Sequence, residues 1–440
     1  MTIKKRRSLL VAIIVLVVVI GYFYYGKTQD HIEKPDFTKL PIVNVSAFGA
    51  DANGSTDSSR AFQKAIDSLI DGGTVQVPKG TYQVKNVVIK SNTQLIGEGA
   101  NSLLKLPSSS KVWDMVLITG GNVKAENVII SDLAIDGSAD EIGLRDVQMH
   151  GLDIQGGSMF VQVNRVHFRN TSGDGIRMTE DGDIGTVPQF ISIDGSTFTQ
   201  AGRQDIAVVH AYDVTVTNST GTGSLDIEPE KPLVKRVTVT DSNFGRLDAA
   251  SADRAAQIIV KNSHFQDSLL WNLNGMHIEK STFRFMRVSS AVDVTLQNNS
   301  FKMLEVFPPS GKVSRNLTIT GNQIDNTTQD GKPAVVGTAD EAGVGLYMWN
   351  TRDTVVSENT IRAESVGVFL STGNAQITLE NNKVEQLQGT LTSKYGLYAV
   401  EKVNGLKITQ NSFIGWSNGV STKNTELPID KLLAVNTIQK

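Results

Sequence analysis

An apolar-x-apolar-polar-x-x-x-apolar pattern returns along this chain from Val161 almost to its end. It reads VQVNRVHF from Val161, ISIDGSTF from Ile191, VTVTDSNF from Val237, IIVKNSHF from Ile258 and MHIEKSTF from Met276. It continues as VTLQNNSF from Val294, LTITGNQI from Leu317, ITLENNKV from Ile377 and LKITQNSF from Leu406, with weaker copies at Val214 and Thr354. Most copies begin 18 to 30 residues apart, a period that means a solenoid. Each copy is a short period-2 strand, β-branched on the inward side and polar on the other. The turn after it is rich in Asn, Asp, Gly and Ser, which tolerate left-handed backbone and bond their own main chain. Leucine-rich repeats share the period, but their Leu and Asn spacing is missing. The pattern predicts an all-β, single-stranded, right-handed parallel β-helix over residues 45–435, one long domain whose rungs share a core.

A helix is expected ahead of the first rung. Ala61, Phe62, Ala65, Ile66, Leu69 and Ile70 fall on one helical face, which predicts a capping helix near 57–70. Thr56 or Asp57 would cap its start and Gly72-Gly73 stop it. An open solenoid end exposes core and strand edges, so an amphipathic helix across it meets a physical need.

The first thirty residues follow other rules. Lys4-Lys5-Arg6-Arg7 precedes Ser8 to Tyr25, an uncharged and mostly apolar run. As a helix it would be roughly 27 Å long, close to the hydrocarbon thickness of a bilayer. The basic cluster would stay cytoplasmic and Tyr22 to Tyr25 would suit the far interface. The segment 1–30 therefore reads as a basic tip and signal anchor, 31–44 as a linker, and the body as extracellular on a single-pass cell-membrane protein. A cleaved signal peptide is the rival reading.

Composition narrows the chemistry. Cysteine is absent, which excludes disulfides and thiolate metal sites. The net charge is −3 although the first thirty residues are strongly basic, so the body is acidic and nucleic acid is not an expected partner.

Candidate chemistry sits where the rungs leave their consensus. Four second strands are aligned on Ile154, Ile176, Ile206 and Ile227, taken to point inward. The residues before them are Asp153, Gly175, Asp205 and Asp226; those after them are Gln155, Arg177, Ala207 and Glu228. With rungs about 4.8 Å apart, Asp205 is expected to face Asp226, with Glu228 on the diagonal, all solvent-facing. Like charges on neighbouring strands destabilise a sheet, which makes the cluster costly for a scaffold. Paired carboxylates suit glycoside cleavage, one as acid and the other as base or nucleophile. Asp174, Asp205, Asp226 and Glu228 are the catalytic candidates, and Arg177, Arg203, Asp153 and His210 the substrate-binding ones. His150 and His210 are also placed as proton-transfer groups. Each has a plainer reading: Asp174 as a turn residue, Arg177 and Arg203 as counter-ions for Asp205 and Asp226, Glu228 as a shaper of the loop, the histidines as structural. No metal ligand set is expected and no cofactor is required, although the loop Glu180-Asp181-Gly182-Asp183 is a conceivable calcium holder.

The stretch VSAFGADANGSTDSSRAFQKAID…GGTVQVPKGTYQV resembles the N-terminal signature of the pectate lyase superfamily of right-handed β-helices. That superfamily includes polygalacturonase-like glycosidases, polysaccharide lyases, mannuronan C5-epimerases and phage tailspike depolymerases. The resemblance is close over 45–90 and rests on rung pattern beyond. SGDGIRM, GRQDIAV and SLDIEPE are similar to runs in its bacterial members, and polygalacturonase-like enzymes keep catalytic aspartates in such runs. Through the resemblance Asp174, Asp205 and Asp226 are implied as catalytic and a polysaccharide as substrate. The chain lacks the double aspartate and following Gly-His-Gly of polygalacturonases. Three classes therefore stay open: a glycosidase, a lyase or uronate C5-epimerase, and a non-catalytic glycan-binding surface solenoid.

Overall fold

The computed structural model describes residues 35–181, 185–229, 231, 233–250, 257–326, 343–387, 394–424 and 427–439. The basic cluster and the expected membrane helix at 8–25 lie outside the described residues. Among the described residues no helix is long and apolar enough to cross a membrane. Residues 35–39 belong to a small unit of their own, with a 3-10 turn at Phe37–Lys39. Leu40–Lys440 forms the body.

The body is a parallel β-solenoid. Its described strands pair into parallel ladders of 16 and 26 members, the larger one covering two faces. The repeat runs in register as the pattern predicts: Val161 pairs with Ile191, then Val214, Val237, Ile258, Met276 and Val294. These side chains and the alternating Val163, Ile193, Val216, Val239, Val260, Ile278 and Leu296 are buried in one continuous core. The last apolar position of the pattern builds an aromatic column. Phe168 and Phe198 stack at 4.9 Å, and Phe244, Phe265, Phe283 and Phe301 follow at 6.4, 5.4 and 5.5 Å.

The polar turns explain their composition. Asn218, Asp241, Asn262, Asn298 and Asn381 occupy the same turn position with φ between 49° and 55°, where Asn and Asp are least strained. The next residue forms a buried ladder. Ser219, Ser242, Ser263 and Ser281 pass one amide-to-hydroxyl bond per rung, and Asn299, Asn322, Asn359, Asn382, Asn411 and Asn436 continue it through their side-chain carbonyls. Each amide at this corner, turned away from the strand ladder, thereby keeps a partner.

The N-terminal helix, α1 (Ser59–Asp67), is shorter than expected. Ala61, Phe62, Ala65 and Ile66 are buried as anticipated, but the chain leaves the helix before Ile70, which is exposed. Ser58, not Thr56 or Asp57, stands at the N-cap, and Asp57 Oδ1 accepts the Ser59 amide at 2.8 Å. The first strand is Ile42–Asn44, paired with Thr74–Gln76. A C-terminal helix, α2 (Ile429–Val435), precedes the last strand and buries Leu432.

The face that leaves the consensus carries β1 (Leu152–Gln155), β2 (Ile176–Thr179), β3 (Ile206–Val208), β4 (Ser224–Ile227) and β5 (Asn243–Ala250). Here the expected register is corrected. Leu152 pairs with Ile176, Ile176 with Ile206, Ile206 with Leu225, and Leu225 with Leu247. The first and last of the four strands are each shifted by two residues from the isoleucine alignment. A slip of two keeps every side chain on its face but changes its neighbours.

Candidate active site

The true column reads Asp153, Arg177, Ala207, Asp226 and Asp248. Asp205 therefore does not face Asp226; Ala207 does. Glu228 lies beyond β4 and is exposed. Nor do the acids face solvent as expected. Asp153 and Asp205 are fully buried, Asp174 is 1% and Asp226 7% exposed. Carboxylates withdrawn from water this far need partners or protons.

Asp153 has a charged partner. Arg177 donates Nε–H to Asp153 Oδ1 at 2.9 Å and Nη2–H to Oδ2 at 2.7 Å, and Gln155 adds a bond at 2.7 Å. Arg177 is a counter-ion, but of Asp153 and not of Asp205 or Asp226 as expected, and its fork is spent there. Its third donor, Nη1, reaches Gln148 Oε1 at 2.9 Å. His150 Nε2 lies 2.9 Å from the same oxygen, while Nδ1 accepts the Asp174 amide at 2.9 Å. These bonds assign the ring proton to Nε2. Asp174 Oδ2 lies 3.1 Å from Nδ1 and Oδ1 accepts the Gln204 amide at 3.0 Å. Gln204 then donates its side-chain N–H to Asp226 Oδ2 at 3.0 Å. One connected chain runs Asp153, Arg177, Gln148, His150, Asp174, Gln204, Asp226.

Asp226 is the electrostatic centre. Burial holds its carboxyl up at about 7, and like charge from Glu228, Asp248 and Asp174 pushes the same way. Asp248, half-buried, takes an ion pair from Arg246 at 2.7 Å. A carboxyl protonated near neutrality therefore stands next in register to an ion-paired carboxylate.

Asp205 is a different object. Burial pushes it up to about 6, against the Gly223 amide, which donates to Oδ2 at 2.7 Å. No partner among the described residues reaches Oδ1. The carboxyl lies under the turn into β4, where a Cβ at Gly221 would strike it and one at Gly223 would come within 2.9 Å. It shapes that turn from beneath. Arg203 is partly exposed and lies 3.7 Å from Asp174 and 3.9 Å from Asp146.

His210 is not brought into the cluster. It is buried one corner away, its Nδ1 taking the Glu180 amide at 3.3 Å. Glu180 is engaged by Lys231, and Gly182 and Asp183 of the proposed calcium loop lie outside the described residues. Sequence reasoning missed Asp248, Gln148 and Gln204. Asp248 left a trace, since Leu247-Asp248 repeats Leu225-Asp226; the glutamines left none.

Residues 42–227 match the family described as rhamnogalacturonase A/epimerase, pectate lyase-like, and residues 230–431 match the periplasmic copper-binding protein NosD. For the copper in that second description the donor set does not fit: the chain has no cysteine, and among the described residues no three His, Asp or Glu converge. The chain is 24% identical to mannuronan C5-epimerase AlgE5 of Azotobacter vinelandii over 81% of its own length and 37% of the relative's. Identity is 36% over 112 residues to alginate lyase 7 of the same organism, 22% of this chain and 13% of that one. The chain thus spans little more than a third of the first of these relatives. Among solved structures, bacteriophage phi29 gene product 12 aligns with a TM-score of 0.53 at 17% identity, over 85% of this chain and 52% of that one. PfbA, a surface adhesin of Streptococcus pneumoniae, aligns with a TM-score of 0.51 at 17% identity, over 87% of this chain and 93% of that one. These likenesses show the fold.

Proposed function

We propose, for a chain that belongs to the pectate lyase-like superfamily of right-handed parallel β-helices, that it is an enzyme cleaving a polysaccharide by glycoside hydrolysis. The observation that carries this reading is Asp226, a carboxyl raised to about 7 and adjacent in register to Asp248. A glycosidase needs one carboxyl protonated to donate to the leaving oxygen and a second ionised to activate water or attack the anomeric carbon. Asp226 fits the donor, and Asp248 or Glu228 the ionised partner. His150, Asp174 and Gln204 act on the pair by positioning Asp226.

A second reading draws on the epimerase and lyase among the relatives. A lyase or C5-epimerase removes the proton next to a uronate carboxylate, which must first be neutralised. Arg177 is already spent on Asp153, so Arg203 would carry that charge. Incubation of the protein with alginate, pectin and neutral glycans separates the readings. New reducing ends without ultraviolet absorbance support hydrolysis; unsaturated product absorbance supports a lyase; binding without either supports a glycan-binding solenoid.

Residues 8–25 are proposed to anchor the chain in the cell membrane with the body outside. The support is the Lys4–Arg7 flank and the uncharged span. External protease should then remove the body from intact cells, and full protection contradicts the orientation.

A further inference from the structure

Trp113 stands on the turn ahead of the strand that pairs with Asp153, beside Arg177, and most of its indole is left to solvent. Its indole is 61% exposed and its neighbour Val112 is 43% exposed. Its backbone has φ of 75°, a conformation that a bulky side chain adopts only under strain. The surrounding turn is clamped in that state. The Trp113 amide donates to Gln148 O at 2.7 Å, Asp114 accepts from the Lys111 amide at 3.0 Å and from Asn86 Nδ2 at 2.8 Å, and the Met115 amide donates to Asn86 Oδ1 at 2.8 Å. Strain so held at a side chain that is itself 61% exposed has its use in what the side chain presents.

The indole is also oriented. The Arg177 guanidinium lies 5.6 Å from its ring centroid, and the same guanidinium is fixed by Asp153 and Gln148. One end of the catalytic network therefore sets the ring, whose other surface faces water. We propose that Trp113 is a stacking platform for a pyranose ring of the polysaccharide, a distal subsite of the same groove. This rests on the polysaccharide reading given above. A sugar offers a face of C–H groups to an aromatic plane, and the Arg177 guanidinium, held by Asp153 and Gln148, backs that plane from the protein side.

The register sets the length of chain the groove rewards. Ile118, on the strand that follows the Trp113 turn, pairs with Asp153, and the column then passes Arg177 and Ala207 before Asp226. Four strand steps separate Ile118 from Asp226 and two separate Arg177 from it, so the indole, which lies against Arg177, is about 10–19 Å from Asp226 along the axis. A glycan touching both Trp113 and Asp226 must therefore span several sugars. The platform selects polymer over short fragments.

The test uses the full chain as wild type, Trp113→Ala and Trp113→Phe, with circular dichroism as the check on folding. Hexa- and disaccharides of mannuronate and of galacturonate are titrated by tryptophan fluorescence and calorimetry, and turnover is followed separately. The expected result is that a hexasaccharide binds wild type, that Trp113→Ala weakens it about tenfold, and that Trp113→Phe restores most of the loss. Disaccharide binding should not change. Hexasaccharide affinity within twofold of wild type in Trp113→Ala, or no saturable binding of either hexasaccharide to wild type, overturns the proposal. Trp113-dependent binding without turnover of any glycan would leave the platform standing and remove the enzymatic reading.

Discussion

Asp226 lies opposite Asp248 on the neighbouring strand, and Gln204 ties it at 3.0 Å to the segment that also caps Asp174. Two acids in register on adjacent strands oppose the sheet they sit in. Burial resolves the conflict by keeping Asp226 protonated near neutrality.

Asp226→Asn is the direct test of that arrangement. The amide can still accept from Gln204 but cannot donate a proton to a leaving oxygen. Turnover should fall 10²–10⁴-fold while the melting temperature above pH 7 holds or rises, because the buried carboxyl that would ionise there is gone. Wild-type rates in a folded variant would place the chemistry elsewhere.

The raised carboxyls also make a pH prediction. Asp205 at about 6 and Asp226 at about 7 lie above their unfolded values near 3.8. A folded pKa above the unfolded one contributes stability that is fully present below about pH 4 and lost as pH rises through 6 and 7. Each contributes at most roughly 3–4 kcal/mol. The drop in melting temperature between pH 4.5 and pH 8 should be smaller in Asp205→Asn and Asp226→Asn than in wild type. An equal drop in all three would contradict the assignment.

Arg177 and Arg203 should separate cleanly. Arg177→Ala leaves Asp153 buried without its counter-ion, a loss of about 3–5 kcal/mol in denaturant unfolding. Arg203→Ala, at a partly exposed and looser contact, should cost less than about 1 kcal/mol. Comparable stability losses in the two variants would mean the Asp153–Arg177 fork is not what holds that rung.

The asparagine ladder predicts a structural cost far from the site. Asn359 accepts the Asn322 amide at 2.8 Å and donates to Ile319 O at 2.8 Å and Asn382 Oδ1 at 2.9 Å. Asn359→Ala strands these groups inside the turn and should cost about 2–3 kcal/mol, with activity per folded molecule unchanged. A loss of activity without a loss of stability would mean the ladder reaches the site.

The repeat, the inward alternation and the stacked turns were legible because each is a local rule. Val161, Val214 and Val294 announce an inward strand by their own neighbours, and Asn218 or Asn298 announces a left-handed turn. The acids too are visible as a departure from consensus, which marks Asp153, Asp174, Asp205 and Asp226 by sequence alone. Their pairing is not. Leu152 and Ile154, like Leu225 and Ile227, are both apolar and two apart, and a period-2 pattern is blind to a shift of two. Register was decided by strand-to-strand bonding through turns of unequal length, which put Ala207 and Asp248, not Asp205, beside Asp226. Burial was decided the same way, since His150 and Gln204 reach the acids, and Gln148 reaches Arg177, from turns 22 to 29 residues away in the chain. The chain's alphabet determined which side chains face in or out; only the winding of one rung on the next determined which of them meet.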